Sequence, residues 1–388
     1  MSRLRIPAVL IALALLTPAL ALAQGAIRYV AFGDSITEGF GDTGAAPGTS
    51  AGYPPRLQAK LQAAGINAVV VNQGFGGEAT PEGLERLSGA LAGTGPGDVL
   101  LLMEGTNDIT RGVPIETTRF DLNEMARRAE ARGLTVVQAT VIPRPPSARM
   151  DSQNILTLEL NQNIRDMAGR RGRDMVDPFE VFLSRSDRFS TLYYTAFDPV
   201  GHPNPVGYEL LAQTFFEVLT DVDRVPPVIG LTTPLHNAQR VPAATAVEVD
   251  VWDFGAGIDI ANTDLLINGV DVNVTPSGDQ RRVRLSYQPP EPLRGVVRIG
   301  LRSRDLASPA NTVNRDVARF VIAGTTFIRG DIDEDGRVDG EDLVRLALLF
   351  GARSGQLRFN SLADLNNDEV IDGLDLAMLA SNFGRSSF

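Results

Sequence analysis

The sequence predicts three folded parts in series: an α/β domain built on a three-layer, doubly wound parallel sheet, then an all-β sandwich, then a small α-helical module. Three observations carry this. From Ala26 to Val222 short apolar runs alternate with amphipathic stretches, the pattern of strands joined by crossover helices. Beyond Asp223–Pro227 the apolar period falls to two. From Ile328 to the end, one unit recurs at a spacing of 33 residues. The expected boundaries are 1–23 for a leader, 24–223, 226–324 and 328–388 for the three parts.

The leader comes first. Arg3 and Arg5 precede the apolar stretch Ile6–Leu20, and Ala21-Leu22-Ala23 is a small-x-small cleavage signal. Residues 1–23 are therefore expected to be a signal peptide, with the mature chain starting near Gln24. The protein is expected to be exported: extracellular, at the cell surface or periplasmic. In the α/β part, strands are expected in Ile27–Phe32, Ala68–Val71, Val99–Met103 and Thr135–Ile142. Helical periodicity covers Tyr53–Ala64 and Leu122–Arg132, and Thr80-Pro81 reads as an N-cap followed by proline at the first helical position. Asp223–Pro227 reads as a linker.

In the next part Val247, Val249 and Val251 alternate with polar residues, as do Val283, Leu285 and Tyr287, and Val297, Ile299 and Leu301. Asn268-Gly269 is a hairpin signal. Strand count and spacing predict an immunoglobulin-like sandwich. Trp252, the single tryptophan, is out of phase with the three valines and is expected to face solvent, a sugar or a neighbouring domain. In the repeat, Leu343, Leu346, Ala347 and Phe350 fall on one helical stripe, and Leu376, Leu379, Ala380 and Phe383 on another. The two stripes are expected to bury each other.

Composition sets limits. A net charge of −11 argues against nucleic acid and anionic membranes as partners. With no cysteine there is no disulfide framework, thiolate nucleophile or Cys-ligated metal. After the leader no stretch is apolar enough to span a bilayer.

The chemistry of the first part starts from Gly33-Asp34-Ser35, directly after an apolar run. Taken alone this is a turn. A nucleophilic serine also needs a base, a group to orient it, and donors for an oxyanion. Of the two histidines, His236 has no evident acidic partner, whereas His202 lies four residues after Asp198. Oxyanion donors are available in the glycines of 74–77 and in the side-chain amide of Asn107, both just after strands. Ligands of open α/β sheets bind at that end of the strands.

These blocks resemble those of the SGNH, or GDSL-type, hydrolases. The first is Gly33-Asp34-Ser35-Ile36-Thr37-Glu38-Gly39, the second Asn72-Gln73-Gly74-Phe75-Gly76-Gly77, the third Gly105-Thr106-Asn107-Asp108, and the last Asp198 with His202. The resemblance spans about residues 26–222 and implies a flavodoxin-like fold and serine ester hydrolysis without a catalytic cofactor. By position, Ser35 is the nucleophile, His202 the base and Asp198 its orienting acid. The N–H groups of Ser35 and Gly77 and the Asn107 side chain would form the oxyanion hole. Thr37 stands where the nucleophile elbow of α/β-hydrolases has its second glycine. The family pattern is Asp-x-x-His; here one extra residue intervenes, and Gly201 is placed to absorb it. Loops 41–55, 142–150 and 184–195 surround this site, and Tyr193 and Tyr194 suit either a stacking surface or the core.

The C-terminal repeat carries metal-ligand spacing. Residues 331–342 place acids at positions 1, 3, 5, 9 and 12, with Gly336 at position 6, the spacing of an EF-hand-type calcium loop. The expected ligands are Asp331, Asp333, Asp335, the carbonyl of Arg337, Asp339 and Asp342. In the second loop they are Asp364, Asn366, Asp368, the carbonyl of Val370, Asp372 and Asp375. Glu369 replaces the loop glycine, and a left-handed backbone there would cost roughly 1–2 kcal/mol. Two Asp-terminated loops, each followed by a helix, resemble a type I dockerin. That resemblance implies two structural Ca²⁺ ions and docking onto a cohesin-type scaffold. Together these readings predict an exported esterase, of acetyl or short acyl esters on polysaccharide. The alternatives are a lipase, lysophospholipase or thioesterase of the same family, and a non-catalytic surface or scaffold binding protein.

Overall fold

The computed structural model describes residues 26–44, 51–145, 148–185, 191–194, 198, 200–325, 328–353, 359–360, 362–366 and 368–386. The expected signal peptide lies outside them, as do parts of the three loops around the site.

Five strands, β1 (Ile27–Gly33), β2 (Ala68–Gly74), β3 (Val99–Met103), β4 (Thr135–Ala139) and β5 (Asp174–Val176), form one parallel sheet in the order β2-β1-β3-β4-β5. This is the doubly wound order of flavodoxin-like folds, with its switch point between β1 and β3. Alternate residues of the central strands feed two cores. Tyr29, Ala31, Leu101, Met103 and Val137 enter one; Val30, Phe32, Leu100, Leu102 and Val136 enter the other. Helices α1 (Ser35–Glu38), α2 (Tyr53–Ala63), α3 (Thr80–Ala90), α4 (Thr106–Arg111), α5 (Ile115–Glu130), α6 (Ala148–Arg171), α7 (Pro178–Ser184) and α8 (Pro205–Leu219) cover the sheet or connect it.

Three local expectations need correction. The apolar run Thr135–Ile142 leaves the sheet after Ala139, because the Asn161 side chain takes over the backbone hydrogen bonds of Val141, at 2.8 Å for both its N–H and its carbonyl. Helix α5 begins at Ile115, seven residues ahead of the periodic stretch, after Pro114. Thr80 is not the N-cap of α3. Ala79 holds that position, with its N–H donating to Glu82 Oε2 at 2.9 Å. Thr80 instead gives both its N–H and its hydroxyl to Asp108, at 3.0 and 2.5 Å.

The second part is a sandwich of two four-stranded sheets. One has the order β10 (Thr275–Gly278), β11 (Arg282–Tyr287), β7 (Val247–Trp252), β6 (Val228–Thr233). The other has the order β13 (Thr312–Val321), β12 (Val296–Arg304), β8 (Asp264–Ile267), β9 (Val270–Asp271). The alternating valines and leucines meet between the sheets in a single core. Asn268 and Gly269 turn the β8–β9 hairpin, both with positive φ.

Trp252 resolves to the third of its options: it faces the α/β domain. It is 3% exposed. Its ring lies on Gly169 of α6, where a β-carbon would come within 2.5 Å of it. Beside it, Arg165 of α6 is buried with Asp177 and Glu180 at 2.7 and 2.9 Å, and donates to the Ile229 carbonyl of β6 at 3.3 Å.

In the third part, α9 (Gly340–Leu349) and α10 (Gly373–Asn382) follow the two loops. Each unit is closed by the other's tail. Val338 N–H donates to the Arg385 carbonyl at 3.0 Å, and Ile371 N–H to that of Ala352 at 2.9 Å. The expected burial of the two stripes fails. Only Leu346 and Leu379 are buried; Leu343, Ala347, Phe350, Leu376, Ala380 and Phe383 are exposed. The inward face is filled by Ile332, Val338, Leu365 and Ile371 of the loops, so the rest of each stripe points outward.

A side chain at Gly169 would wedge the two domains apart. Gly169→Val is expected to cost about 1–3 kcal/mol. It should also split the melting of the α/β domain and the sandwich into separate calorimetric transitions. A red shift in the fluorescence of Trp252, the only tryptophan, would report the opened joint.

Candidate active site and calcium loops

Ser35 begins α1, with one residue between it and the end of β1. Asp34 caps that helix, its Oδ1 accepting the Ile36 N–H at 2.9 Å. The Ser35 N–H belongs to the same first turn, whose donors have no intrahelical acceptor. Ser35 Oγ lies 2.7 Å from His202 Nε2, although 167 residues separate them in the chain. His202 Nδ1 lies 2.6 Å from Asp198 Oδ2. The three side chains form one continuous hydrogen-bonded row, each residue 7% exposed.

The extra residue between Asp198 and His202 is absorbed in a tight loop. The Val200 N–H donates to Asp198 Oδ1 at 3.0 Å, and the His202 N–H to Oδ2 at 2.8 Å. Gly201 makes the turn with φ +79° and packs against Pro145 and Arg144, where a β-carbon would come within 2.9 and 3.3 Å of their atoms. Burial alone would raise the Asp198 pKa, but hydrogen bonds from the His202 ring and from the Val200 and His202 N–H groups bring it down to about 2. The carboxylate stays ionised and favours the tautomer with its proton on Nδ1, which leaves Nε2 as the acceptor facing Ser35.

The other predicted donors lie on the same rim. Residues 74–77 follow β2, and Phe75 N–H donates to the Gly33 carbonyl at 2.9 Å, which holds this loop against the Ser35 turn. Gly77 has φ +80°, and its carbonyl accepts from Arg111. Asn107 lies in α4 directly after β3; one of its amide hydrogens goes to the Glu78 carbonyl at 2.8 Å. Asp108 holds Thr80 and Thr118, so its role in the third block is to pin α3 and α5 to this turn.

Several neighbours have no signature in the sequence. Arg144, 1% exposed, donates to the Thr106 carbonyl at 2.7 Å and to Thr157 Oγ1 at 2.8 Å, beneath both the Asn107 turn and Gly201. The Phe40 ring lies 4.5 Å from that of His202 and 6.2 Å from that of Tyr194. Phe40, Tyr194 and Phe75 are exposed around the site, whereas Tyr193 is buried with its hydroxyl on the Pro143 carbonyl. Glu104, 1% exposed, has no hydrogen-bond donor on either oxygen and stands against Glu78, whose carboxylate is held by Arg86. Burial, then the charges of Glu78, Asp34 and Asp108, raise its pKa well above the carboxylate range. Burial likewise pushes Asp34 up to about 6. His236 is a buried histidine of the sandwich, facing the Arg319 N–H at 3.3 Å.

In the first C-terminal loop, Asp331, Asp333 and Asp335 each offer a carboxylate oxygen to a common point. Asp331 Oδ1 is buried without a partner, and burial, then the neighbouring carboxylates of Asp342, Asp335 and Asp333, push the Asp331 pKa up to about 7 against the Gly336 N–H. This donor set fits a hard cation such as Ca²⁺. Asp342 closes the loop, with Oδ1 accepting from Ile332 and Asp333 and Oδ2 from Asp339. In the second loop Asp375 takes the same part. There Asn366 donates to Asp368 at 2.8 Å, and Glu369 adopts φ +67°, the left-handed backbone expected at the position of Gly336. Asp339 and Asp372 cap α9 and α10. The carbonyl-bearing residues Arg337 and Val370 form bridges to Ser386 and Arg353.

Residues 31–210 match the GDSL-like Lipase/Acylhydrolase family, and residues 329–384 match the Dockerin type I domain. No curated protein matches the chain significantly. Solved structures that resemble it include a lipolytic protein of the G-D-S-L family from Veillonella parvula, 24% identical, which covers 51% of this chain and 100% of its own at a TM-score of 0.43. A lipase/acylhydrolase from Enterococcus faecalis is 23% identical, with coverages of 49% and 94% and a TM-score of 0.41. A catalytic mutant of an acetylxylan esterase from Geobacillus stearothermophilus is 19% identical, with coverages of 50% and 95% and a TM-score of 0.42.

The raised pKa of Glu104 has a stability consequence. Its contribution is full below the unfolded value of about 4.3, and is lost as pH rises through the folded value. Glu104→Gln cannot ionise, so its melting temperature should gain on that of the wild type as pH is raised. A difference between the two that stays constant with pH would show that Glu104 titrates normally.

Proposed function

We propose, on the premise that residues 31–210 form a GDSL-type ester hydrolase domain and residues 329–384 a type I dockerin domain, that the protein is an exported serine esterase acting on acetyl or short acyl esters of polysaccharide. The observation that carries the proposal is the row Ser35–His202–Asp198, with steps of 2.7 and 2.6 Å.

The proposed reaction runs as follows. Ser35 Oγ attacks the ester carbonyl while His202 Nε2 takes its proton. Asp198 holds the imidazole ring and stabilises the imidazolium that forms. Negative charge on the carbonyl oxygen is met by the N–H groups of Ser35 and Gly77 and by the second amide hydrogen of Asn107, the first being committed to Glu78. His202 then protonates the departing alcohol, leaving an acyl group on Ser35. A water molecule, deprotonated by His202, releases the acid and restores the serine. Every proton in this cycle is moved by His202.

The exposed rings of Phe40, Tyr194 and Phe75 support a sugar-bearing alcohol, since aromatic faces and edges suit the apolar faces of sugar rings. In the dockerin domain, the exposed Leu343, Val344, Leu348, Phe350, Leu374, Leu376 and Phe383 are apolar surface for a cohesin-type partner. Calcium would be held by the two loops, where it supplies the positive charge that their carboxylates lack.

Ser35→Ala and His202→Ala should each lower kcat by about 10⁶-fold, and Asp198→Asn by about 10⁴-fold, measured on p-nitrophenyl acetate. Loss in Ser35→Ala with a wild-type preference for acetate, together with acetate release from acetylated polysaccharide, supports the reading. A preference for long chains would make the enzyme a lipase, and equal inertness of wild type and Ser35→Ala would remove the catalytic reading altogether. Chelation of calcium should expose the amides of Leu346 and Leu379 to hydrogen exchange, with hydrolysis of a soluble ester little changed. Glu369→Gly should tighten calcium binding at the second loop by relieving roughly 1–2 kcal/mol of backbone strain.

A further inference from the structure

A third cluster of carboxylates lies at the joint between the α/β domain and the sandwich. Asp223 belongs to the linker after α8, Asp253 follows β7, and Asp305 follows β12. From these distant chain positions each presents a carboxylate oxygen, and the three oxygens lie within 4.8 Å of one another. Asp253 and Asp305 are 3% and 2% exposed. Among the described residues, no arginine, lysine or histidine pairs with any of the three, whereas arginines partner other buried acids such as Asp177, Glu180 and Asp250.

The hydrogen bonds around the cluster are not symmetric. Asp253 Oδ1 accepts the Gly255 and Gly257 N–H groups at 2.9 and 2.8 Å. Asp305 accepts the Ala307 and Asn311 N–H groups at 3.1 and 2.8 Å with Oδ1, and the Asn311 amide at 2.5 Å with Oδ2. Asp223 accepts from Val225 and Ala256 at 3.1 and 2.7 Å. These bonds fix the orientation of all three carboxylates. Asp253 Oδ2 is the exception: it is buried and has no partner at all. Burial, and then the charges of Asp223 and Asp305, push Asp253 up to about 6 against the Gly257 and Gly255 N–H groups. Three carboxylates held in place, one of them with a bare buried oxygen, present an all-oxygen donor set suited to a cation.

We propose that Asp223, Asp253 and Asp305 bind a calcium ion that fastens the interdomain linker to the sandwich. The donors are all oxygen, which selects a hard cation over zinc or copper. They come from three separate loops, and calcium tolerates such irregular sets, whereas magnesium demands a near-ideal octahedron. Asp223 lines an open cavity together with Trp252, Phe254 and Gly255, which gives the ion an entry path. This site is separate from the two loops of the C-terminal domain, and it does not depend on the hydrolase reading.

The test uses the full chain and Tb³⁺ as the probe. Trp252 immediately precedes Asp253 and is the only tryptophan. Excitation that only tryptophan absorbs should therefore produce terbium emission from this site alone, and Ca²⁺ should displace it. Native mass spectrometry should find three calcium ions on the wild type and two on Asp253→Asn, which keeps the Oδ1 acceptor. The sensitised emission should fall at least tenfold in that variant. Should Asp253→Asn lose its near-ultraviolet circular dichroism, Asp223→Asn, at the more exposed linker position, decides by the same two readouts. Absence of sensitised emission in the wild type, or wild-type emission and stoichiometry in the folded variant, would overturn the proposal. Displacement by Mg²⁺ but not by Ca²⁺ would overturn the choice of ion.

Discussion

The pairing of β1 between β2 and β3 is the constraint on which the candidate site depends. The register sets Gly33 opposite both Gly74 and Met103, so three strands end at one level. The chain leaves β1 towards one neighbour and later returns to the other side. The crossover helices therefore lie on opposite faces, and a crevice opens between them at the strand ends. Ser35, the glycines after β2 and Asn107 follow those ends by two to four residues. They meet because of strand order, before any side chain has made a contact. What remains is to bring His202 across from the last helical crossover, and the buried core beneath α8 does that.

Much of this could be read from the sequence because the governing signals are local. Period-two and helical patterns identify the three folded parts. The first three blocks, each just after a strand end, identify residues that the sheet brings together, and the fourth, Asp198 with His202, lies just ahead of α8. The Glu369 backbone was likewise foreseeable, since one loop position must be left-handed whichever residue fills it. What local patterns do not contain is the identity of the surface on the far side. The helical stripes of the C-terminal units were located correctly as apolar, but periodicity does not say what covers an apolar face. The two loops took the inner positions and left most of each stripe outside. Trp252 stood out as being out of phase, yet only the tertiary structure shows Gly169 beneath its ring. Arg144, Phe40 and Glu104 gave no signal, since each acts through contacts with residues far away in the chain.

The joints between the parts use different physics. Between the α/β domain and the sandwich, Trp252 lies flat on a helix while Arg165 bridges two acids and a carbonyl of β6. Both are shielded from water and therefore little affected by salt. Between the sandwich and the dockerin domain, Glu334 of the first calcium loop, with φ +59°, is gripped by Arg298 and Arg319 at 3.3 and 2.5 Å. The matching position of the second repeat in the sequence is Asn367, an uncharged residue.

The short loop from Asp198 to His202 has a separate implication. Both hydrogen bonds that orient the carboxylate and the one that orients the ring are made inside five residues. Asp198 and His202 thus hold each other's orientation within one short loop, whereas the distance from His202 to Ser35 depends on the whole domain. Changes in the surrounding loops can then reshape the entrance while this local geometry is kept.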